Sequence, residues 1–200
     1  MIFPKSISMF KHSKEREMKK TILTFGLISG AISTLMMVAT VPFAHKIGFD
    51  RALIIGYTNI VLSFLLVFFG VRSFRDNVGN GQISFVKGFT VGILITLISC
   101  LCYVATWEVL YFKFMPDFMD SYGAHVIEQA KASGATAAAI QTQIDQLNQF
   151  KEAYKNPFYN AAMTFIEPFP VGFVITLISA AVLRRKQPGQ PAQSPLPASS

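Results

Sequence analysis

The chain has 200 residues, 52% of them hydrophobic and 14% charged, where an average soluble domain carries about 25% charged residues. With a mean hydropathy of +0.42, this balance excludes an ordinary soluble globular domain and predicts a membrane chain. The net charge of +7 would suggest a nucleic-acid partner only if the basic residues formed one patch. They gather at the ends of apolar runs instead, which excludes that reading.

Residues 1–20 form a basic leader ending in Met18-Lys19-Lys20, with no helical patterning beyond Phe10. Three uncharged runs follow, residues 21–41, 53–71 and 88–107. Each reaches the roughly 18 residues needed to cross about 30 Å of hydrocarbon at about 1.5 Å per residue. A fourth apolar run, residues 158–183, contains Glu167-Pro168-Phe169-Pro170. Its span is assigned to residues 168–186, about 28 Å of helix, closed by Arg184-Arg185-Lys186. A signal peptide is the rival for the first run, but Val41-Pro42-Phe43-Ala44 lacks the small-x-small cleavage pattern.

Residues 116–156 are the one sizeable polar insert. Tyr122, Val126 and Ala130 recur every four residues, Gly134 suits a helix stop, and Ile140, Ile144, Leu147, Lys151 and Tyr154 follow at spacings of four and three. Asn156-Pro157 then breaks the helix. The fold class is therefore all-α: an integral-membrane, four-helix antiparallel bundle with a helical hairpin outside the membrane between spans 3 and 4. The hairpin's apolar stripe packs within itself, lies on the membrane, or docks a second copy or an envelope protein. The tail, residues 187–200, carries four prolines among Gln, Ser, Ala and Gly and reads as disordered.

Orientation follows from the basic residues, because Lys and Arg of short flanking segments stay on the cytoplasmic side. With both termini inside, the cytoplasmic pieces hold twelve basic and three acidic residues, and the outer pieces six basic and seven acidic. The lipid bilayer is the partner this implies.

Glu167 is the costliest residue to bury, since an acidic side chain at mid-membrane costs about 2.5–3.5 kcal/mol on insertion scales. Two readings stay open. Pro168 and Pro170 break a helix whose freed backbone and carboxylate bind a cation or proton, or the span begins at Pro168 with Glu167 at its positive end and residues 158–166 along the interface. Glu108, after the third span, reaches the same edge, so the two carboxylates form a shared site, with His45, Lys46 or Arg51, or act as separate interfacial charges. Trp107, Tyr103, Tyr111, Phe112, Tyr154 and Tyr159 at that edge suit an aromatic belt more than a ligand box.

Gly26-x-x-x-Gly30 and Gly88-x-x-x-Gly92 let helix backbones approach closely, inside one bundle or at a dimer face, and Asn59 requires a polar neighbour on another helix. Residues 91–99 match 171–179 at seven of nine positions, either a trace of an inverted repeat or shared apolar composition. Cys100 and Cys102, two apart on a helix, neither bridge each other nor pair on a metal.

Several of these segments, namely Met18-Lys19-Lys20, Gly26-Leu-Ile-Ser-Gly30, Phe69-Gly70-Val71-Arg72-Ser73-Phe74-Arg75-Asp76, the stretch from Gly81 to Gly92, and Glu167-Pro168-Phe169-Pro170-Val171-Gly172, carry a resemblance. Over residues 18–186 the chain resembles a family of small Gram-negative bacterial four-span inner-membrane proteins catalogued only as a domain of unknown function. The resemblance implies four spans and a helical outer segment, and no enzyme activity, cofactor or substrate. The leading expectation is a non-enzymatic structural or interaction component of the cell envelope, without cofactor or metal. The alternative is a small transporter or ion pathway using Glu167. An intramembrane enzyme is disfavoured because His12, His45 and His125 are scattered and none lies inside a span.

Overall fold

The computed structural model describes residues 4–185, with side chains from residue 12 onward. The tail expected to be disordered lies outside the described residues. Helix α1, Pro4–Thr40, runs unbroken through the basic leader. This differs from the expectation of an unpatterned leader and has a local cause: Pro4 suits a first helical turn, and neither Gly nor Pro interrupts the chain before Gly26. Lys20 and Glu17 add an i,i+3 pair at 2.9 Å.

A short 3₁₀ turn, Val41–Phe43, and one turn of helix, α2 (Ala44–Ile47), lead to Gly48 at φ 93°, where the chain reverses into α3, Phe49–Asn77. A second reversal uses Asn80 and Gly81 at φ 51° and 79°. Helix α4, Phe85–Val109, is capped by the Ser84 hydroxyl, which accepts from the Lys87 amide at 3.3 Å, and ends in a π turn, Leu110–Phe114. The hairpin follows as α5, Phe118–Ala132, and α6, Ala137–Tyr154, joined through Gly134 at φ 78°. Helix α7, Pro157–Ile166, is started by Asn156, whose side chain accepts from the amides of Phe158 and Tyr159. Glu167 keeps helical dihedrals, φ −68° and ψ −59°, so the chain passes almost directly into α8, Pro168–Leu183. The fourth long apolar helical unit thus runs from Pro157 to Leu183, with Pro168 inside it.

Four helical units, His12–Ile47, Phe49–Asn77, Phe85–Phe114 and Pro157–Leu183, are long and apolar enough to cross a membrane. Their surfaces agree with that composition. Leu35, Ile54, Leu101 and Val182 are 63% to 69% exposed, a breadth of apolar surface that water would not tolerate on a monomer. Two exposed hydroxyls within these units, those of Thr58 and Thr90, are satisfied locally, each donating to the carbonyl four residues earlier. The chain is a multi-pass membrane protein with an all-α fold.

Polar side chains hold the interior. Ser29 bonds Ser63 O and Ser99 Oγ, each at 2.9 Å, tying α1 to α3 and α4. Asn59 accepts from Ser63 and donates to Ser33 O at 3.5 Å. Such bonds glue helices where lipid leaves no hydrophobic drive to association. The interior also holds an apolar cluster that includes Ile60, Phe64, Val67, Val71, Val91 and Ile95.

The small residues fall on the same contacts. A Cβ on Gly26 would meet Ile98 at 2.9 Å, and one on Gly30 would meet Cys102 at 2.7 Å, so this face of α1 packs on α4. The other pair lies on the α4–α8 contact, where Gly88 faces Ala180, Gly92 faces Thr176 and Thr96 faces Gly172. The Thr96 and Thr176 hydroxyls bond each other at 3.0 Å in the middle, and Ile83 and Arg185 extend the same antiparallel register as a backbone bridge. The repeated segment therefore packs against its own counterpart. Each copy supplies a Gly that receives the other copy's Thr, so one packing demand explains both copies.

Candidate functional site

At the hairpin end the four apolar units do not close on themselves. Helices α5 and α6 lie over them and, with them, line a half-open cavity of about 310 Å³, at the lower end of small-molecule sites. Three helices each line it with an aromatic pair at i,i+4: Tyr103 and Trp107 from α4, Phe118 and Tyr122 from α5, Phe150 and Tyr154 from α6. That spacing places each pair on one helix face. Phe49, Leu53 and Gly56 close the α3 side, and Thr164 and Glu167 the α7–α8 side.

Two sets of contacts hold the cap in place. Phe49 packs edge-on against Phe118 and Tyr122, while Asp50 receives Gln129 Nε2 on both oxygens at 3.0 Å and sits 3.5 Å from His125 Nε2. At the other side Trp107 Nε1 donates to Tyr154 Oη at 3.1 Å, and Tyr154 Oη meets Thr164 Oγ1 at 3.2 Å. Thr164 donates to Asn160 Oδ1 and Asn160 Nδ2 donates to the Tyr154 carbonyl. The loop of bonds joins α4, α6 and α7 and satisfies the fully buried Asn160. Burial raises the Tyr154 phenol above its ordinary range, so it keeps its proton and serves as donor to Thr164 and acceptor from Trp107. Within the hairpin Lys151 pairs with Asp120, and that hydrogen bond raises the ammonium. Lys151 therefore supplies an ion pair to a stripe otherwise apolar.

Glu167 faces this cavity, with Oε2 accepting from Tyr103 Oη at 3.0 Å. Neither sequence reading describes the arrangement fully. The helix continues through Glu167, as a bare interfacial start at Pro168 does not require, and residues 157–166 run along α4. Pro168 is buried at the start of α8, and Pro170 sits in the same turn.

Glu108 is not brought to Glu167. It lies outside the cavity lining, and its Oε1 is buried without a hydrogen-bond partner among the described residues. His45, Lys46 and Arg51 do not line the cavity either. His45 stacks edge-on against Phe49. Among the aromatic residues expected at the edge, Tyr103, Trp107 and Tyr154 turn inward to the cavity and Tyr111 is buried, whereas Phe112 and Tyr159 stay exposed. The sequence reading missed Phe49, Phe118, Tyr122, Phe150, Asn160 and Thr164. The signal was present in the i,i+4 aromatic pairs on three consecutive helices. Among the described residues no group of three or more His, Cys, Asp and Glu is gathered as a metal would require.

A family model described as a protein of unknown function (DUF4199) matches residues 24–185. Neither curated proteins nor solved structures give a match. The chain belongs to the DUF4199 family.

Proposed function

We propose that this family member is a non-enzymatic protein of the bacterial inner membrane, with both termini cytoplasmic, that holds a small solute between its bundle and an outer helical cap. One observation carries the reading. The acidic side chain most costly to bury within the apolar units is turned into a capped cavity and anchored by a neutral phenol, and an ionisable group at membrane depth is a functional candidate by default. A purely structural role gives no reason to keep a carboxylate there, since a hydrophobic residue would seal the contact at lower cost. The orientation rests on the twelve basic residues of the segments assigned to the cytoplasmic side by the sequence. An envelope partner on the hairpin has less support, because much of its aromatic stripe is occupied by its own bundle.

Ala52 lines the cavity and carries a small side chain, so Ala52→Cys tests access and sidedness together. In cells with a permeabilised outer membrane, a membrane-impermeant maleimide is expected to label it above a wild-type control, which holds only Cys100 and Cys102. Labelling solely from the cytoplasmic side of inverted vesicles would overturn the orientation. No labelling from either side would overturn the solute-holding reading.

A further inference from the structure

The cavity lining also indicates what kind of solute fits, an inference that rests on the solute-holding reading above. We infer that the cavity takes a monovalent organic cation, an ammonium group with apolar substituents, using Glu167 as counter-charge and the rings of Tyr103, Trp107, Tyr122 and Tyr154 as walls. Glu167 is the one charged residue among those that line the space, and no Lys, Arg or His joins it. Tyr103 occupies Oε2 with a single neutral hydrogen bond, and no basic side chain lines the space to offset the charge that Glu167 carries when ionised. Removing a carboxylate from water costs several kcal/mol in practice unless a partner offsets it, and a cation inside the cavity is that partner.

The walls select among cations. Ammonium groups are attracted to the faces of Trp and Tyr within about 6 Å, by about 0.5 kcal/mol when exposed and about 2 kcal/mol or more when desolvated. A hard inorganic ion would lose its water and need about six oxygen ligands in return. The lining offers one carboxylate and a few hydroxyls, and two of these, Tyr154 and Thr164, are already bonded to each other. An ammonium with methyl or longer alkyl substituents needs no such ligand set. Its apolar surface meets Leu53 and the rings while its charge meets Glu167. An anion would face the carboxylate unaided, and a neutral apolar solute would leave it unpaired.

Trp107 is the sole tryptophan and lines the cavity, so its emission reports on the site without a label. In maltoside micelles at neutral pH, choline is expected to change that emission saturably. Its neutral isostere, 3,3-dimethylbutan-1-ol, is expected to bind about tenfold more weakly or worse, and sodium chloride at equal ionic strength to give no saturable change. Glu167→Gln keeps an acceptor for Tyr103 and should weaken choline by about tenfold while leaving the alcohol unchanged. Tyr122→Leu removes one wall without touching the carboxylate and should weaken choline several-fold. Equal binding of the alcohol, saturation by sodium alone, or Glu167→Gln binding choline as wild type would overturn the inference. If Ala52→Cys is labelled from the outer side and no cation saturates the Trp107 signal, the solute-holding reading stands and the ligand class falls. If Ala52→Cys is inaccessible, both fall.

Discussion

Gly172→Ala is expected to lower the stability of the bundle by about 1–3 kcal/mol, the usual cost of forcing a methyl group into a packed core. The added Cβ would sit 2.5 Å from Thr96 Cγ2 and 2.9 Å from two atoms of the Phe64 ring, and Thr96 and Phe64 are both almost fully buried. Its counterpart Gly92→Ala meets Thr176 Cγ2 at 2.9 Å and Val67 Cγ1 at 3.3 Å. That clash can be relieved selectively. Thr176→Ser removes the methyl group and keeps the hydroxyl bonded to Thr96, so Gly92→Ala with Thr176→Ser should recover much of what Gly92→Ala loses. Unfolding titrations in mixed micelles, followed by circular dichroism, give the comparison. Wild-type stability in both single variants would mean that α4 and α8 do not pack in this register.

Asn160→Leu should release the hairpin while sparing the bundle. The substitution deletes the bonds to Thr164 and to the Tyr154 carbonyl, and each buried polar group left without a partner costs about 1–3 kcal/mol. Asn160 is fully buried where α6 meets α7, so no water can replace it without repacking. Hydrogen exchange should therefore accelerate in α5, α6 and the start of α7, with α1, α3 and α4 unchanged over their buried lengths. Tyr159→Phe, at an exposed position, serves as the control and should leave the exchange pattern as in wild type. Uniform acceleration across all helices would show that the cap and the bundle unfold as one unit.

The spans were legible because lipid leaves a one-dimensional record: long uncharged runs with basic residues at particular ends. The hairpin was legible from its i,i+4 apolar spacing and Gly134. What the sequence could not convey is where those helices sit. The stripe through Tyr122 and Tyr154 is the same whether it faces lipid, a partner or its own bundle, and the pairing of Phe49 and Asp50 with α5 and of Trp107 and Thr164 with Tyr154 decides between them. Glu167 illustrates the same limit. Depth along a helix can be counted from the sequence, but rotation about it depends on which neighbour is present, and here Tyr103 and the capped space set the facing. The internal repeat was visible as identity without meaning until Gly92 and Gly172 were seen to receive each other's threonines.

The hairpin closes over Glu167 by docking α5 on the start of α3. Asp50 and Gln129 touch at 3.0 Å across that contact, 79 residues apart in the chain. A double variant, Asp50→Cys with Gln129→Cys, reconstituted in lipid and treated with a short bifunctional thiol reagent, is expected to form an intramolecular crosslink in high yield. An Asp50→Cys and Lys155→Cys pair should not. Equal yields in the two pairs, or no crosslink between positions 50 and 129 while both thiols react singly, would contradict the capped cavity.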